Sequence, residues 1–457
     1  MTPTPIPIDT GSTAWLLIST ALVMLMVPGL ALFYGGMVQR KNVLSTFMHS
    51  FMALGIVSVQ WVLFGYSLSF GATNGGFIGG FEYAGLNGVG MESGPLSPGI
   101  PHVLFMMFQG MFAIITPALI SGAYAERMKF SAYVAFTLLW ATLVYDPMAH
   151  WIWGPGGWIG SMSPTPRDFA GGMVVHLASG VSALIVAIVI GKRAGYPQKP
   201  HQPHNLTMTL IGAGLLWFGW FGFNGGSALA SGGQAGSALV NTHLAAAAGV
   251  LGWVVVEYIR IRKVTMLGVA SGLVAGLVGI TPAAGYVSPM SALLIGFMTG
   301  LVCYGGVMLK GRFGYDDTLD AFGVHGVGGI FGAVATGVFA SVAWGSPALT
   351  TVDGVTSGSG EGLLGGGTSL FMNQLISIGA AAAFSAVMTF VILKVIQATI
   401  GLRVDKDVEA EGLDATLHGE SGYVLGDSPS GHLVPHPVAE EASPIAVATL
   451  ATEVPQT

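Results

Sequence analysis

Eleven stretches of this chain are long and apolar enough to cross a membrane, and few of them contain a charged residue. A helix needs about 20 apolar residues to cross a bilayer. The long stretch from 264 to 309 is divided at the breakers Thr281-Pro282 and Ser288-Pro289. Only 8% of all residues are charged, against about 25% in soluble domains. The sequence therefore predicts an all-α polytopic membrane protein, with spans at 13–37, 43–69, 102–125, 130–150, 169–191, 205–225, 239–259, 264–284, 287–309, 321–343 and 370–396.

Lysine and arginine predict the orientation of the chain, because these residues favour cytoplasmic loops. They fall on every second loop and after the last span, whereas only Arg167 lies on the opposite side. The amino terminus is therefore predicted outside and the carboxyl terminus in the cytoplasm, as an odd number of spans requires. Residues 1–12 form a short extracytoplasmic segment, and residues 13–400 form the transmembrane domain.

Three sequence features recur in the same order in two halves of the chain, about 13–191 and 205–343. Because each half has five spans, the second half must be upside down relative to the first, and one helix is added at the end. Inverted repeats of this kind place substrate sites near the membrane midplane in many transporters. The recurring features are Phe33-Tyr34-Gly35-Gly36 with Phe223-Asn224-Gly225-Gly226, Thr116-Pro117-Ala118 with Thr281-Pro282-Ala283, and the spacing of Asp168 and His176 with that of Asp317 and His325.

An aspartate precedes a histidine by eight residues in both halves, at Asp168 and His176 and at Asp317 and His325. In a regular helix, eight residues place each histidine about 12 Å inward from its aspartate. Ionisable side chains inside a membrane are costly and mark functional sites. Two neutral imidazoles can share a hydrogen bond and give an apolar bore a polar edge. A metal site is the rival hypothesis, but no third ligand lies near either ring at that depth.

The two aspartates allow two interpretations. Each stands just before an apolar run, so Asp168 and Asp317 can cap the free N–H groups of a helix. The alternative is that their charges attract a substrate. The sequence leaves both open.

Aromatic residues gather towards the predicted outer ends of several spans. An interfacial belt explains such a distribution. A vestibule that binds a small cation on ring faces is the alternative. The residues are Phe108, Phe112, Trp151, Trp153, Trp217, Trp220, Phe221 and Phe223.

The carboxyl-terminal region carries most of the chain's acidity, with ten acidic and two basic residues between 401 and 457. Residues 401–423 read as a short cytoplasmic tail. Residues 424–457 are rich in Pro, Ser, Ala and Glu, which predicts a disordered extension. The single cysteine, Cys303, excludes an intramolecular disulfide and a cysteine metal site.

Several motifs together resemble the ammonium transporter (Amt/Mep/Rh) family, in its prokaryotic Amt branch, over about residues 12–423. The resemblance implies an eleven-helix protomer, a homotrimer with one pore per subunit, and uptake of ammonium or ammonia across the cell membrane without a cofactor or enzymatic reaction. The motifs are Ala31-Leu32-Phe33-Tyr34-Gly35-Gly36, Lys41-Asn42-Val43-Leu44-Ser45, Phe108-Gln109-Gly110, Ala125-Glu126-Arg127, Asp168-Phe169-Ala170-Gly171-Gly172 with Val175-His176, Trp220-Phe221-Gly222-Phe223-Asn224 and Phe322-Gly323-Val324-His325-Gly326.

The same resemblance implies a role for each site residue. Phe108, Trp153 and Ser227 match the outer ammonium site, with Asp168 behind it. Phe112 and Phe223 match the stacked rings that close the pore, and His176 with His325 match the twin histidines that line it. Asp317 takes the pseudo-symmetric place of Asp168, with a structural or relay role, and no metal ligand is implied.

Residues 401–423 resemble the family's regulatory tail, which works with a P-II-type signal protein in relatives. The alternatives to transport are an ammonium sensor that acts through such a partner and a channel for another small neutral gas. A membrane metalloenzyme that uses the histidines is disfavoured by the missing metal ligands, and nothing in the sequence resembles a basic nucleic-acid surface.

Overall fold

Long apolar helices make up most of the computed structural model, which describes residues 6–198, 202–348 and 360–423. The predicted disordered extension, residues 424–457, lies outside the described residues. In chain order the long helices are α1 (Thr10–Met37), α2 (Arg40–Phe70), α3 (His102–Tyr124), α4 (Phe130–Trp153), α5 (Gly172–Ile190), α6 (Leu206–Gly226), α7 (Gly233–Ile261), α8 (Met266–Ile280), α9 (Pro289–Phe313), α10 (Phe322–Phe339) and α11 (Thr368–Thr399).

Ten of these helices in the described ranges have the length and apolar composition of membrane spans, whereas α8 is apolar but has only 15 residues. Its start and end follow from the sequence. The Thr265 hydroxyl caps the first turn by accepting from the Gly268 N–H at 2.9 Å. The Thr281-Pro282 breaker follows the last turn. The polytopic helical fold agrees with the prediction, and the count of eleven spans, their orientation and their inverted arrangement stay predictions.

Four of the helices contain a π-helical turn, in which the chain inserts an extra residue into the helical ladder. These turns are frequent at functional sites. Two of them carry the histidines of the repeated motif. The turns are Trp61–Gly65 in α2, Ala141–Tyr145 in α4, Gly172–Leu177 in α5 and Phe322–Gly326 in α10.

The prediction of a regular helix between each aspartate and its histidine is therefore wrong. In α5 the helix begins only at Gly172, after Gly171 in a left-handed conformation with φ of 101°. In α10 it begins at Phe322, after Asp320 with φ of 61°. A sequence period of 3.6 residues carries no signal for such insertions.

Short strands form the segment between α2 and α3, which no sequence pattern predicted. Strand β1 (Thr73–Asn74) pairs antiparallel with β2 (Ile78–Gly79). Strand β3 (Ser93–Gly94) pairs antiparallel with β4 (Ser97–Pro101). This segment lies at the amino-terminal end of α3, on the predicted outer side, and contributes Leu96 to the cavity described below.

The first helices of the two predicted repeats are neighbours. The most extensive helix contact joins α1 to α6, the first helix of each half. It depends on Gly212, where a Cβ would lie 2.3 Å from the backbone nitrogen of Phe33. Small residues allow such close approach of membrane helices. The two halves are therefore joined along their length rather than only by a loop.

Buried ion pairs join the helix ends on the predicted cytoplasmic side. The Arg193 guanidinium lies 2.9 Å from Glu126 and 2.8 Å from Asp316. Burial alone would lower the pKa of Arg193, but the two carboxylates raise it above its usual value. Breaking a buried pair is strongly destabilising because a charge is left uncompensated. These contacts hold the loops after α3, α5 and α9 together.

The tail, residues 401–423, packs on this same side and includes the short helices α12 (Lys406–Glu411) and α13 (Leu413–His418). The Leu402 carbonyl accepts from the Lys129 N–H at 2.9 Å. The Asp414 carboxylate caps α2 by accepting from the N–H groups of Leu44 at 3.0 Å and Ser45 at 2.8 Å. The tail is an ordered part of the structure.

Candidate functional site

A cavity of about 340 Å³ opens at the predicted outer side, between α3, α4, α5 and α6. We call it the outer cavity. It contains four of the side chains that the sequence singled out, Phe112, Trp153, Asp168 and Ser227, among its walls. The full lining is Phe70, Leu96, Phe105, Gln109, Phe112, Ile152, Trp153, Asp168, Phe169, Ser227, Leu229 and Tyr286.

The hydrogen bonds of two wall residues leave cation-binding surfaces free. The Ser227 hydroxyl donates to the Phe223 carbonyl at 2.8 Å, so its lone pairs can accept from a ligand N–H. The Trp153 indole N–H donates to the Asp168 carbonyl at 2.9 Å, which fixes the ring. A fixed ring face attracts a small cation. The outer cavity therefore offers both an acceptor and a π face.

Asp168 caps α5. Its carboxylate accepts from four consecutive backbone N–H groups, at 3.0 Å from Gly171, 2.5 Å from Gly172, 2.9 Å from Met173 and 3.1 Å from Val174. These contacts favour the ionised carboxylate and oppose the effect of burial. Of the two interpretations of Asp168, this geometry supports the helix cap. The capping residue also lines the outer cavity and brings its negative charge there.

Two phenylalanine rings separate the outer cavity from the interior. The rings of Phe112 and Phe223 have centroids 4.3 Å apart and an interplanar angle of 35°. Phe108, predicted in the outer ammonium site, is not among the residues that line the outer cavity. Its ring contacts the edge of Phe112 at 5.0 Å. The structure thus places Phe108 beside Phe112 and not in the wall of the outer cavity.

Beyond the aromatic pair lies a narrow, nearly apolar cavity of about 10 Å³, which we call the bore. This volume is about that of one probe sphere, the least that holds a single water. A hydrated cation does not fit. The bore is lined by Met26, Leu30, Phe33, Ile115, Leu119, Val175, His176, Leu216, Trp220, Phe223, Val274 and His325.

The two histidines meet in the bore. Their Nδ1 atoms are 3.3 Å apart, within hydrogen-bond distance, and their ring centroids are 5.4 Å apart at an interplanar angle of 20°. The His176 ring also stacks on Trp220 at 5.2 Å. Among the described residues, His176 Nε2 is buried without a hydrogen-bond partner. The pair therefore presents polar nitrogen atoms in surroundings that otherwise offer few.

Two glycines beside the histidines bring α5 and α10 into contact. A Cβ at Gly180 would lie 2.0 Å from the backbone nitrogen of Gly326 and 2.2 Å from its Cα. Larger residues at this crossing would push the helices apart. The close crossing is what allows His176 and His325 to reach each other.

A second cavity, of about 50 Å³, lies on the other side of His325 and is called the inner cavity here. Asp317, the counterpart of Asp168, caps α10 by accepting from the N–H groups of Ala321 at 3.1 Å and Phe322 at 2.8 Å. Asp317 does not line this cavity. The lining is Phe33, Tyr34, Met37, Leu267, Ser271, Val274, Leu319, Asp320, Val324 and His325.

The remaining aromatic residues of the predicted group lie away from the cavities. Trp151 donates its indole N–H to the Phe77 carbonyl at 2.8 Å. Trp217 stacks on His243 at 5.3 Å, on the outside of α7, and Phe221 lies 6.3 Å from the same ring. The residues of this aromatic group are thus divided between the cavities and other parts of the structure, a division that composition could not show.

The cavity residues that the sequence patterns did not single out include Gln109, Asp320 and Tyr286. Gln109 carried a signal, since it is a polar residue in the apolar run 102–125. Asp320 also carried one, as a charged residue three positions after Asp317. Tyr286 lies between the two helix breakers Thr281-Pro282 and Ser288-Pro289, and no sequence pattern pointed to it.

Comparisons with known proteins agree on one family. A sequence model described as Ammonium Transporter Family matches residues 14–423. An ammonium transporter of Bacillus subtilis is 53% identical over 414 residues, which cover 90% of this chain and 98% of that protein. The ammonium transporter Amt1 of Archaeoglobus fulgidus is 45% identical over 413 residues, covering 90% and 99%.

Solved structures give the same result. Mep2 of Saccharomyces cerevisiae matches with a TM-score of 0.80 and 38% identity, over 88% of each chain. A protein described as a sensor Amt protein matches with a TM-score of 0.79 and 27% identity, over 90% of this chain and 98% of that one.

Proposed function

This chain belongs to the ammonium transporter family, and we propose that it takes up ammonium through the outer cavity, the aromatic pair, the bore and the inner cavity. The chain is a multi-pass membrane protein. The observation that carries the proposal is the position of the histidine pair. His176 and His325 lie in a bore that separates two larger cavities, and His325 lines both the bore and the inner cavity.

The proposed path begins with ammonium in the outer cavity. The Trp153 ring face attracts the cation, and the Ser227 hydroxyl accepts one of its N–H groups. The Asp168 carboxylate contributes a fixed negative charge, because its oxygen atoms are held by the N–H groups that begin α5. In this account Asp168 orients and stabilises, and does not itself receive the proton.

The cation gives its proton to water in the outer cavity, and neutral ammonia enters the bore. Ammonium is strongly hydrated, and moving a bare charge into an apolar cavity costs many kcal/mol. Ammonia is neutral and about as large as the single water that a cavity of about 10 Å³ can hold. The rings of Phe112 and Phe223, 4.3 Å apart, must move aside for it. They act as a gate that admits one small molecule.

The histidine pair then replaces water around the passing ammonia. His176 Nε2, which lacks a partner in the described part of the chain, can accept an N–H, and an imidazole N–H can donate to the ammonia lone pair. The same pair can pass a proton between rings if transport carries charge. Simultaneous measurement of charge and nitrogen distinguishes the two modes.

The assembly and regulation are part of the proposal. We expect a homotrimer in the cell membrane with one such path per subunit. Residues 401–423 are expected to act as the regulatory tail, with a P-II-type signal protein as the cytoplasmic partner. The contacts of Leu402 and Asp414 with the membrane domain support a tail that can report on it.

An ammonium sensor is the second candidate, favoured by the likeness to the sensor Amt protein. In that case the tail would signal to its partner while little ammonium crosses the membrane. A channel for another neutral gas is a weaker alternative, because Trp153, Ser227 and Asp168 together suit a cation.

The proposal is tested by uptake of labelled methylammonium into proteoliposomes. We expect uptake that ammonium inhibits and that potassium and sodium do not. The matched variant Ser227→Ala removes only the hydroxyl acceptor and should weaken the inhibition by ammonium. Uptake equal to that of empty liposomes, from a protein that is folded and binds ammonium, would favour the sensor.

A further inference from the structure

Asp320 gives the inner cavity a carboxylate in an unusual backbone conformation. It lines the inner cavity together with His325 and Tyr34, and its φ is 61°. Left-handed φ is uncommon outside glycine, although aspartate tolerates it better than most residues. In the first copy of the repeat the matching position, three residues after the capping aspartate, is Gly171 with φ of 101°.

This comparison shows that the backbone turn alone does not require an aspartate. The same capped helix start is made in the first copy with Gly171, which adopts left-handed φ without steric cost. The second copy has a charged side chain at that point instead. Unfavourable conformations that persist tend to cluster at functional sites. The backbone turn therefore does not explain why residue 320 carries a carboxylate.

Lys310 provides the next observation. Its ammonium Nζ lies 2.5 Å from Asp320 Oδ1 and donates to the Asp317 carbonyl at 3.3 Å. Apart from this ion pair, Asp320 Oδ1 is without a hydrogen-bond partner among the described residues. Both side chains are partly exposed, Lys310 by 24% and Asp320 by 31%. The buried carboxylate oxygen is thus occupied by a primary ammonium group, and the two side chains that form the pair are partly open to solvent.

We propose that Asp320 is a binding site for ammonium at the inner mouth and that Lys310 is a tethered competitor for that site. The inference rests on the proposed transport of ammonium. Ammonia that leaves the bore past His325 takes a proton from water in the inner cavity, or from the histidine pair if that pair relays one, and becomes a cation beside Asp320. The Lys310 ammonium has the same charge and the same kind of N–H donors, so it displaces the product and hastens its release.

The size of the effect follows from the exposure of the pair. A partly exposed ion pair favours the paired state by roughly fivefold. Asp320 is then free in about one sixth of the molecules, and the apparent affinity for ammonium is lowered by that fraction. Removal of the lysine charge should therefore strengthen ammonium binding from the inner side about sixfold. Binding from the outer side should not change.

The test uses sealed vesicles in which the face that carries residues 401–423 is outward. The initial rate of methylammonium entry is measured against its concentration on that face. We expect Lys310→Gln to lower the half-saturating concentration about sixfold, because Asp320 is freed. Lys310→Arg keeps a cation and should behave as the wild type. The matched control is Arg312→Gln, which removes an exposed charge two positions after Lys310 on the same helix. This variant should also leave the half-saturating concentration unchanged.

Asp320 is tested in the same vesicles. Asp320→Asn tolerates left-handed φ, and Asp320→Gly reproduces the residue of the first copy, so at least one of the two should fold. In either background, adding Lys310→Gln should have no further effect. An unchanged half-saturating concentration in Lys310→Gln, with wild-type entry intact, would overturn this inference alone. Absence of entry in the wild type from both faces would instead overturn the proposed function.

Discussion

Replacing His325 with leucine should abolish most transport while leaving the fold intact. Leucine fills roughly the space of the imidazole but offers no nitrogen. His325 lines both the bore and the inner cavity. The change therefore removes the polar edge at the point where ammonia passes from one to the other.

The magnitude follows from the hydrogen bonds that are lost. One neutral hydrogen bond contributes about 1 kcal/mol, and about 1.4 kcal/mol corresponds to a tenfold change in rate. Loss of one contact in the bore and one at its exit should reduce transport by at least about tenfold. His176 Nδ1 loses its partner at 3.3 Å, which costs about 1–3 kcal/mol of stability.

The assay compares ammonium-evoked current and labelled uptake with the amount of assembled protein in the same membranes. His243→Leu is the matched control, because that ring is exposed on α7 and lines neither cavity nor bore. If a proton relay operates, His325→Glu should retain more current than His325→Leu. Wild-type uptake in His325→Leu would refute the role of the pair, and loss of the assembled protein would make the pair structural.

The remaining predictions concern topology, the outer cavity, the tail and the buried ion pairs. A tag at the amino terminus should be accessible on intact cells and one after Gly401 should not, and labelling of both would reject an odd number of spans. Trp153→Leu should weaken selection for ammonium over other small cations without loss of folded protein. An unchanged dependence of uptake on ammonium concentration would instead favour the interfacial-belt interpretation of Trp153. Deletion of residues 424–457 should leave assembly and flux unchanged, while deletion from Gly401 should alter regulation, as read by uptake at different ammonium levels. Arg193→Met should lower the free energy of unfolding by about 3–5 kcal/mol, because Glu126 and Asp316 lose their common partner; unchanged thermal stability would contradict this.

The membrane helices could be predicted closely from the sequence. The run 102–125 corresponds to α3, and the run 205–225 corresponds to α6. Such agreement is expected, because an apolar run without charges has few alternatives in a membrane. The outer strands between α2 and α3 could not be predicted, since they are short and depend on tertiary contacts.

The aspartate and histidine spacing pointed to two histidines that lie together in the structure, but the regular helix assumed between each aspartate and its histidine is wrong. The estimate of depth assumed a regular helix, whereas π-helical turns begin at Gly172 and Phe322. What joins the two rings is the close crossing of Gly180 and Gly326. Contact between residues so distant in the chain is a property of packing, and one sequence alone does not show it.

The walls of the cavities were predicted least well. The aromatic residues of one group divide between the cavities and other parts of the structure, as Trp153 and Trp217 illustrate. Their division depends on the face of the helix that is turned inward. Asp320 was missed because the repeated spacing singles out Asp317 and His325, and the sequence alone does not show which residues between them line a cavity.

The most direct test of the central claim is simultaneous measurement of nitrogen uptake and current in proteoliposomes that contain the wild-type protein and an inward ammonium gradient. The account predicts ammonium uptake that potassium does not inhibit and that falls at least about tenfold in His325→Leu. The ratio of charge moved to nitrogen taken up then shows whether ammonia passes alone or with a relayed proton. Uptake no faster than in empty liposomes, from folded and correctly inserted protein, would contradict the account.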